Sequence, residues 1–219
     1  MKLGIVGGTF NPIHFGHLRA AEEIREELRL DEVLFIPSNI PPHRPLESLV
    51  PFFHRYQMVK MATVDNPYFA VSGIEGKRPG KSYTIDTLKA LYPEYPNAVF
   101  YFIIGLDAFL EINTWKKPQE LFKLTHFVVI PRKGFGKKQI LHAVKTVYPH
   151  LNVKMQQDII QMPHGKNIHF CPISSLDISA TQIRNLVKAN KSIRYLVPRA
   201  VEEYIYQNGF YRGDDETKD

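Results

Sequence analysis

The feature that most constrains the fold is a glycine turn between a short apolar run and an amphipathic segment. Residues 3–6 are apolar, residues 7–18 read Gly-Gly-Thr-Phe-Asn-Pro-Ile-His-Phe-Gly-His-Leu, and a helical pattern follows. This order predicts a strand, a tight turn and a helix N-terminus. Such a turn presents backbone N–H groups and the positive end of a helix dipole to a phosphate, and His14 and His17 are spaced to face the same anion.

The spacing of these residues disfavours several common nucleotide and metal sites. The glycines fit neither G-x-G-x-x-G nor G-x-x-x-x-G-K-[ST], so the main support for a dehydrogenase or a P-loop protein is missing. Two histidines at this spacing can also be surface or capping residues. Zinc is disfavoured because Cys171 is the only cysteine and the chain has no His-Glu-x-x-His segment.

Short apolar runs alternate with helical patterns along the chain. The predicted strands cover residues 2–6, 32–37, 69–72, 99–104, 126–130 and 168–170. The predicted helices cover residues 16–29, 52–64, 84–92, 118–123, 137–147, 179–189 and 199–207. This alternation predicts an α/β protein with a doubly wound parallel sheet, a helical C-terminal segment and a ligand at the carboxyl ends of the strands. We interpret residues 1–212 as a single domain and expect the charged tail, 213–219, to be disordered.

Composition limits the class of partner. The 219 residues carry a formal net charge of +6, which suits polyanionic ligands, but the basic residues are scattered rather than clustered. A bound nucleotide explains this charge as well as a nucleic acid would, so we expect no nucleic-acid partner. No apolar run approaches the roughly 20 residues of a membrane span, and no signal-peptide pattern is present. We therefore expect a cytoplasmic protein without membrane contact, and a homo-oligomer remains open.

Two segments resemble the signatures of the nucleotidyltransferase superfamily that uses an H-x-G-H motif. The first is residues 7–12 with His14-x-Gly16-His17, and the second, about 160 residues later, is Ile-Ser-Ala-Thr-Gln-Ile-Arg at 178–184. Middle segments at 37–44, 82–88, 103–107 and 114–115 resemble bacterial nicotinate-nucleotide adenylyltransferases, and the likeness extends from residue 1 to about residue 210. Asn11 stands where many relatives have aspartate, and Arg44 where many have lysine.

This resemblance implies a Rossmann-like nucleotidyltransferase fold and a defined reaction. The expected activity is adenylyl transfer from ATP to nicotinate mononucleotide, which gives deamido-NAD and pyrophosphate in NAD biosynthesis. Magnesium is implied as the companion of ATP, without a dedicated metal site in the protein. The alternatives are adenylyltransferases for nicotinamide mononucleotide or pantetheine phosphate, a relative with a cytidylyl donor, and a non-catalytic nucleotide-binding regulator.

The resemblance also implies roles for individual residues. His14, His17 and Arg184 are the predicted catalytic residues, as contacts to the ATP phosphates. The predicted ATP-binding residues are Gly8, Thr9, Phe10, Gly16, Gly105, Asp107, Arg132, Ser179 and Thr181. The predicted mononucleotide-binding residues are Asn39, His43, Arg44, Thr84 and Trp115. Three of these residues have plainer alternatives: Ser179 fits a capping box, Asp107 fits a helix N-cap, and Trp115 fits the core.

Overall fold

The computed structural model describes residues 1–42, 49–131, 136–174 and 176–213. Three predicted site residues, His43, Arg44 and Arg132, lie outside these ranges, and so does the predicted tail beyond residue 213.

Eight strands form one sheet in the order β3-β2-β1-β4-β5-β8-β7-β6. The strands are β1 (Lys2–Gly8), β2 (Glu32–Pro37), β3 (Phe69–Val71), β4 (Val99–Gly105), β5 (His126–Ile130), β6 (Met155–Gln156), β7 (Ile159–Gln161) and β8 (Asn167–Phe170). The pairs from β3 across to β8 are parallel, whereas β6–β7 and β7–β8 are antiparallel. Strand order reverses between β1 and β4, and this switch point opens a crevice at the carboxyl ends of both strands.

Helices cover both faces of the sheet. They are α1 (Phe15–Leu28), α2 (Phe52–Thr63), α3 (Thr84–Leu91), α4 (Leu106–Leu110), α5 (Pro118–Leu124), α6 (Lys137–Val147), α7 (Ala180–Lys188) and α8 (Arg199–Gln207). Buried side chains of α1, α2, α7 and α8 form one core, and those of α3 to α6 form the other. No helix in the described ranges is long and apolar enough to cross a membrane.

The α/β doubly wound fold is confirmed, and the differences concern small elements. The hairpin β6–β7 was not predicted, because its strands have only two and three residues. Its turn residues Gln157 (φ 45°) and Asp158 (φ 66°) are left-handed without a glycine to announce it. Helix α4 has only five residues, too few to show a helical period.

Candidate active site

A cleft of about 720 Å³ opens at the carboxyl ends of β1 and β4. This volume falls within the ordinary range for small-molecule sites. The predicted site residues on its walls are Gly8, Thr9, His14, Gly16, His17, Thr84, Gly105, Trp115, Ser179 and Thr181. The fold therefore brings together residues from both ends of the sequence.

The loop between β1 and α1 directs its carbonyl groups into the protein. The Thr9 carbonyl oxygen accepts a hydrogen bond from Arg55 Nη1 at 2.7 Å. The Asn11 carbonyl oxygen accepts one from Arg184 Nη1 at 2.9 Å. Because these acceptors are satisfied by protein donors, the loop is suited to hold an anion with its N–H groups.

His14 and His17 lie side by side where α1 begins. His14 is the N-cap residue of α1 and is only 6% exposed, and the two imidazole rings have their centroids 3.7 Å apart. The His14 backbone N–H donates to His17 Nδ1 at 3.2 Å. Since Nδ1 is the acceptor, a neutral His17 carries its proton on Nε2. His17 is therefore prepared to donate a hydrogen bond from Nε2.

Burial keeps both imidazoles neutral before a ligand binds. It lowers the pKa of His14 to about 4. It also lowers the pKa of His17 well below the ordinary value, and a charge on His14 would lower it further. A bound phosphate would raise both pKa values again.

Gly16 is required by the position of the His14 ring. A Cβ at residue 16 would lie 2.9 Å from His14 Nδ1 and 3.1 Å from its Cε1, closer than packing allows. The same Cβ would lie 3.6 Å from the carbonyl oxygen of Ile178. The glycine of the H-x-G-H segment thus leaves room for the His14 ring, whereas a Cβ would meet the chain that leads into α7 only at ordinary contact distance.

The start of α7 supplies a second helix N-terminus. Ser179 is its N-cap residue, and Ser179 Oγ accepts the Gln182 N–H at 3.1 Å. The capping alternative for Ser179 is therefore confirmed, and its hydroxyl hydrogen can still donate to a ligand. Arg184 Nη2 donates to Thr181 Oγ1 at 3.2 Å, so the guanidinium lies beside the first turn of α7.

The other end of the cleft combines α3 with an aromatic wall. Thr84 is the first residue of α3. The half-buried Trp115 ring meets Phe102 edge-on, with centroids 6.2 Å apart, so the residue packs on the core and also lines the cleft. Lys116 Nζ forms an ion pair with Asp86 at 2.8 Å, which partly neutralises the basic charge next to Trp115.

The comparisons with known proteins agree on one kind of enzyme. A model of the cytidylyltransferase-like family matches residues 5–186. A protein of Syntrophotalea carbinolica described as a probable nicotinate-nucleotide adenylyltransferase is 46% identical, over 99% of this chain and 100% of its own length. A Geobacter sulfurreducens protein with the same description is 45% identical, over 98% of this chain and 100% of its own length. This chain belongs to the nicotinate-nucleotide adenylyltransferase family.

A solved structure supports the fold of this family member. The Plasmodium falciparum nicotinic acid mononucleotide adenylyltransferase complexed with NaAD superposes with a TM-score of 0.73 at 21% identity, covering 96% of this chain and 97% of that one. Membership of the family makes the chain a nucleotidyltransferase.

Three predicted site residues of this adenylyltransferase family member have surroundings that differ from the expectation. Phe10 is 3% exposed and its ring lies 5.2 Å from that of His17, so its side chain supports the histidine and does not line the cleft. The Asn39 N–H donates to Ser82 Oγ at 3.0 Å, which fastens the loop after β2 to the segment before α3. Both residues have a supporting place in the structure.

Asp107 is the third such residue. It is exposed at the second position of α4, whose N-cap is Gly105, so the N-cap alternative for Asp107 is wrong. A Cβ at Gly105 would meet nothing within 4 Å among the described residues, which leaves open space at the end of β4.

Arg55 is a buried charge that the sequence analysis missed. Arg55 is only 1% exposed, and its guanidinium donates hydrogen bonds to the carbonyl oxygens of Thr9 (2.7 Å), Asn39 (3.1 Å) and Val50 (2.8 Å). Burial lowers its pKa to about 10. The guanidinium therefore ties together the loops that follow β1 and β2. The sequence contains a signal for its burial, because Arg55 lies three residues before Met58 and therefore on the same buried face of α2.

Glu75 was missed as well. This residue is 6% exposed and lines the cleft, and its Oε1 accepts the Thr87 hydroxyl at 2.6 Å. Arg78 Nη2 donates to the same Thr87 oxygen at 2.6 Å. No periodic pattern announces Glu75 because it lies in a loop between β3 and α3.

Proposed function

We propose that this cleft transfers the adenylyl group of ATP to nicotinate mononucleotide, giving deamido-NAD and pyrophosphate as a step of NAD biosynthesis. The observation that carries the proposal is the pair His14 and His17, whose ring centroids lie 3.7 Å apart at the start of α1, and which both line the cleft beside the glycine turn. The family relationship supplies the identity of the two substrates.

The reaction needs positioning and charge stabilisation more than an activated nucleophile. The acceptor phosphate is already an anion at neutral pH, and its oxygen attacks the α-phosphorus of ATP as the bond to pyrophosphate breaks. His17 donates from Nε2 to an α-phosphate oxygen, and His14 supports the same phosphate. Arg184, beside the first turn of α7, stabilises the charge that develops on pyrophosphate.

The acceptor occupies the end of the cleft that contains Thr84 and Trp115. The indole ring stacks on the pyridine ring, and backbone N–H groups near the start of α3 hold the nicotinate carboxylate. Asp107 accepts hydrogen bonds from a ribose hydroxyl of the adenosine. The roles of His43, Arg44 and Arg132 stay predictions from the sequence.

Magnesium enters this proposal only as the ion carried by ATP. The phosphate end of the cleft is lined by imidazoles and by the first residues of two helices, with the Arg184 guanidinium bonded to Thr181 on its wall, whereas magnesium prefers carboxylate, carbonyl and water oxygens. The described residues contain no group of three or more His, Cys, Asp or Glu side chains that could hold a metal ion. A cytoplasmic location, a homo-oligomer and the lack of a nucleic-acid partner stay predictions.

The proposal is tested by pyrophosphate release with matched substrates. The assay compares nicotinate mononucleotide, nicotinamide mononucleotide and pantetheine phosphate as acceptors, with ATP and then CTP as donor. We expect ATP with nicotinate mononucleotide to be preferred over the amide by about a hundredfold or more in kcat/KM, because the amide leaves carboxylate-binding donors mispaired. Comparable efficiency with the two pyridine nucleotides would contradict the nicotinate assignment, and absence of turnover with every pair would favour a non-catalytic regulator.

Trp115→Ala locates the acceptor within the cleft. Loss of stacking should raise the KM for nicotinate mononucleotide and leave the KM for ATP nearly unchanged. Tyr195→Ala is the matched control, since that aromatic residue is 83% exposed and does not line the cleft.

A further inference from the structure

After α8 the chain returns to the loop between β1 and α1, residues 9–14, which is called the phosphate loop below because it is proposed to hold the ATP phosphates. It turns at Gly209 (φ 65°), and the Phe210 ring packs 4.8 Å from the ring of His54 on α2. Tyr211 follows in the left-handed region (φ 64°), which is unfavourable for a bulky side chain. Tertiary contacts must therefore hold Tyr211 in this conformation.

The contact made by the Tyr211 hydroxyl is with the loop between β1 and α1. It donates to Asn11 Oδ1 at 2.9 Å, and Asn11 is only 2% exposed. The same Oδ1 accepts the Val50 N–H at 3.3 Å, and the Asn11 carbonyl oxygen accepts Arg184 Nη1 at 2.9 Å. Donors from the segment before α2, from α7 and from the chain after α8 thus converge on one buried residue.

Asn11 occupies the middle of the loop that is proposed to hold the phosphates. It lies three residues after Gly8 and three residues before His14. A shift of Asn11 would therefore move both the glycine turn and the N-cap of α1. A misplacement of about 1 Å in such a site is enough to lower a rate substantially.

The Tyr211 hydroxyl stays a neutral donor across the physiological range. Burial raises its pKa, while the nearby charges of Arg184 and Arg55 act in the opposite direction and are outweighed. The hydroxyl therefore keeps the proton that it donates to Asn11 Oδ1.

We propose that Tyr211 is a positioning residue for the ATP half of the reaction, which fixes the phosphate loop through Asn11. This inference rests on the proposed function. The segment after α8 would thus help to hold the phosphate loop in place, although Tyr211 itself does not line the cleft. The expected signature is a loss of ATP binding and turnover, with little change toward the mononucleotide.

The experiment compares Tyr211→Phe with Tyr204→Phe. The control removes a hydroxyl of the same kind, because Tyr204 Oη is 2.8 Å from His54 Nδ1 and does not contact the phosphate loop. We expect Tyr211→Phe to lose about three- to tenfold in kcat/KM for ATP and in affinity for α,β-methylene-ATP measured by calorimetry, since one hydrogen bond to the loop is lost. The KM for nicotinate mononucleotide should change less than twofold. Tyr204→Phe should alter Tm alone.

A double-mutant cycle with Asn11→Ala shows whether Tyr211 acts through Asn11. If it does, Tyr211→Phe has no further effect on analogue affinity in the Asn11→Ala background. Equal kinetic effects of the two tyrosine variants, or full additivity in the cycle, would overturn the proposal. Failure of the proposed function is separate, because wild-type protein would then not release pyrophosphate with nicotinate mononucleotide, whereas calorimetry would still compare the variants.

Discussion

Two pairs of buried or half-buried histidines lie in different parts of the sheet. His14 and His17 follow the carboxyl end of β1, whereas His126 and His169 lie near the beginning of β5 and on β8, with ring centroids 5.9 Å apart. In each pair one Nδ1 accepts a backbone N–H, and for His126 the donor is Asn167 at 3.0 Å. In each pair, among the described residues, one buried ring nitrogen lacks a hydrogen-bond partner: Nδ1 of His14 and Nε2 of His169.

The electrostatics of the two pairs are also alike. Burial lowers the pKa of His126 to about 4, as it does for His14, and it lowers the pKa of His169. A buried histidine with a lowered pKa is therefore no evidence of a site by itself. The difference is the setting. His14 and His17 line a cleft beside a glycine turn and two helix N-termini, while His126 stacks on Tyr101 at 4.7 Å within the sheet.

The largest expected effect separates the pairs by activity. His17→Ala should lower kcat by about a hundredfold or more, because it removes a preorganised donor to the reacting phosphate. His126→Ala should keep kcat and both KM values within about twofold and lower Tm. Steady-state kinetics on variants checked by circular dichroism measure both. A folded His17→Ala enzyme with near-normal kcat would remove His17 from the mechanism.

A second prediction concerns Gly16, which leaves room for the His14 ring. Gly16→Ala should lower kcat/KM for ATP by about tenfold or more, because its Cβ would lie 2.9 Å from His14 Nδ1 and must displace the ring. Gly136→Ala is the matched control, since the nearest described atom to its Cβ would be Gln139 Oε1 at 3.9 Å. Near-identical kinetics of the two variants would show that the His14 position does not matter.

The third prediction uses pH to separate the pairs by their ligand response. The folded pKa values of His14 and His126 lie below the ordinary value, so the unfolded chain binds more protons between about pH 6.5 and pH 4. The contribution of these histidines to the free energy of unfolding should fall as pH drops through this window and level off below it, by about 3 kcal/mol at most for each histidine.

A bound ATP analogue should abolish only part of this pH dependence. Phosphates favour the protonated form of His14, whereas the surroundings of His126 do not change. Urea unfolding from pH 7.5 to pH 4.5 measures the slope with and without the analogue, and His126→Gln should reduce the slope that persists, leaving the contribution of His169. An unchanged slope on analogue binding would contradict the placement of phosphates at His14 and His17.

Much of this account could be predicted from sequence because the signals are local. The apolar run ending at Val6, the following glycines and the helical pattern fixed the strand, the turn and α1. The sequence also predicts a helix that begins within the segment 178–184, and α7 begins there. The resemblance to the nucleotidyltransferase signatures links this segment to the glycine turn. Residues of both segments line one cleft, as the resemblance implies.

The remaining features depend on contacts between residues far apart in sequence. Phe10 faces inward because the loop geometry turns its ring onto His17, and the type of residue alone does not reveal this. The neutral state of the histidines follows from burial, which a motif does not report. Arg55 and Tyr211 act on the loop across 46 and 200 residues of sequence, and only the folded chain shows these distances in space.

The central claim is that phosphates bind at His14 and His17, and histidine side-chain NMR tests it most directly. A long-range ¹H–¹⁵N spectrum of ¹⁵N-histidine-labelled protein is recorded before and after addition of α,β-methylene-ATP at pH 7. We predict neutral rings in the free protein, with the His17 proton on Nε2. On binding, the ring signals of both His14 and His17 should change, with His14 moving toward the protonated form and His17 keeping Nδ1 as an acceptor, while His126 and His169 stay unchanged. Saturating analogue that leaves His14 and His17 unshifted would contradict the account.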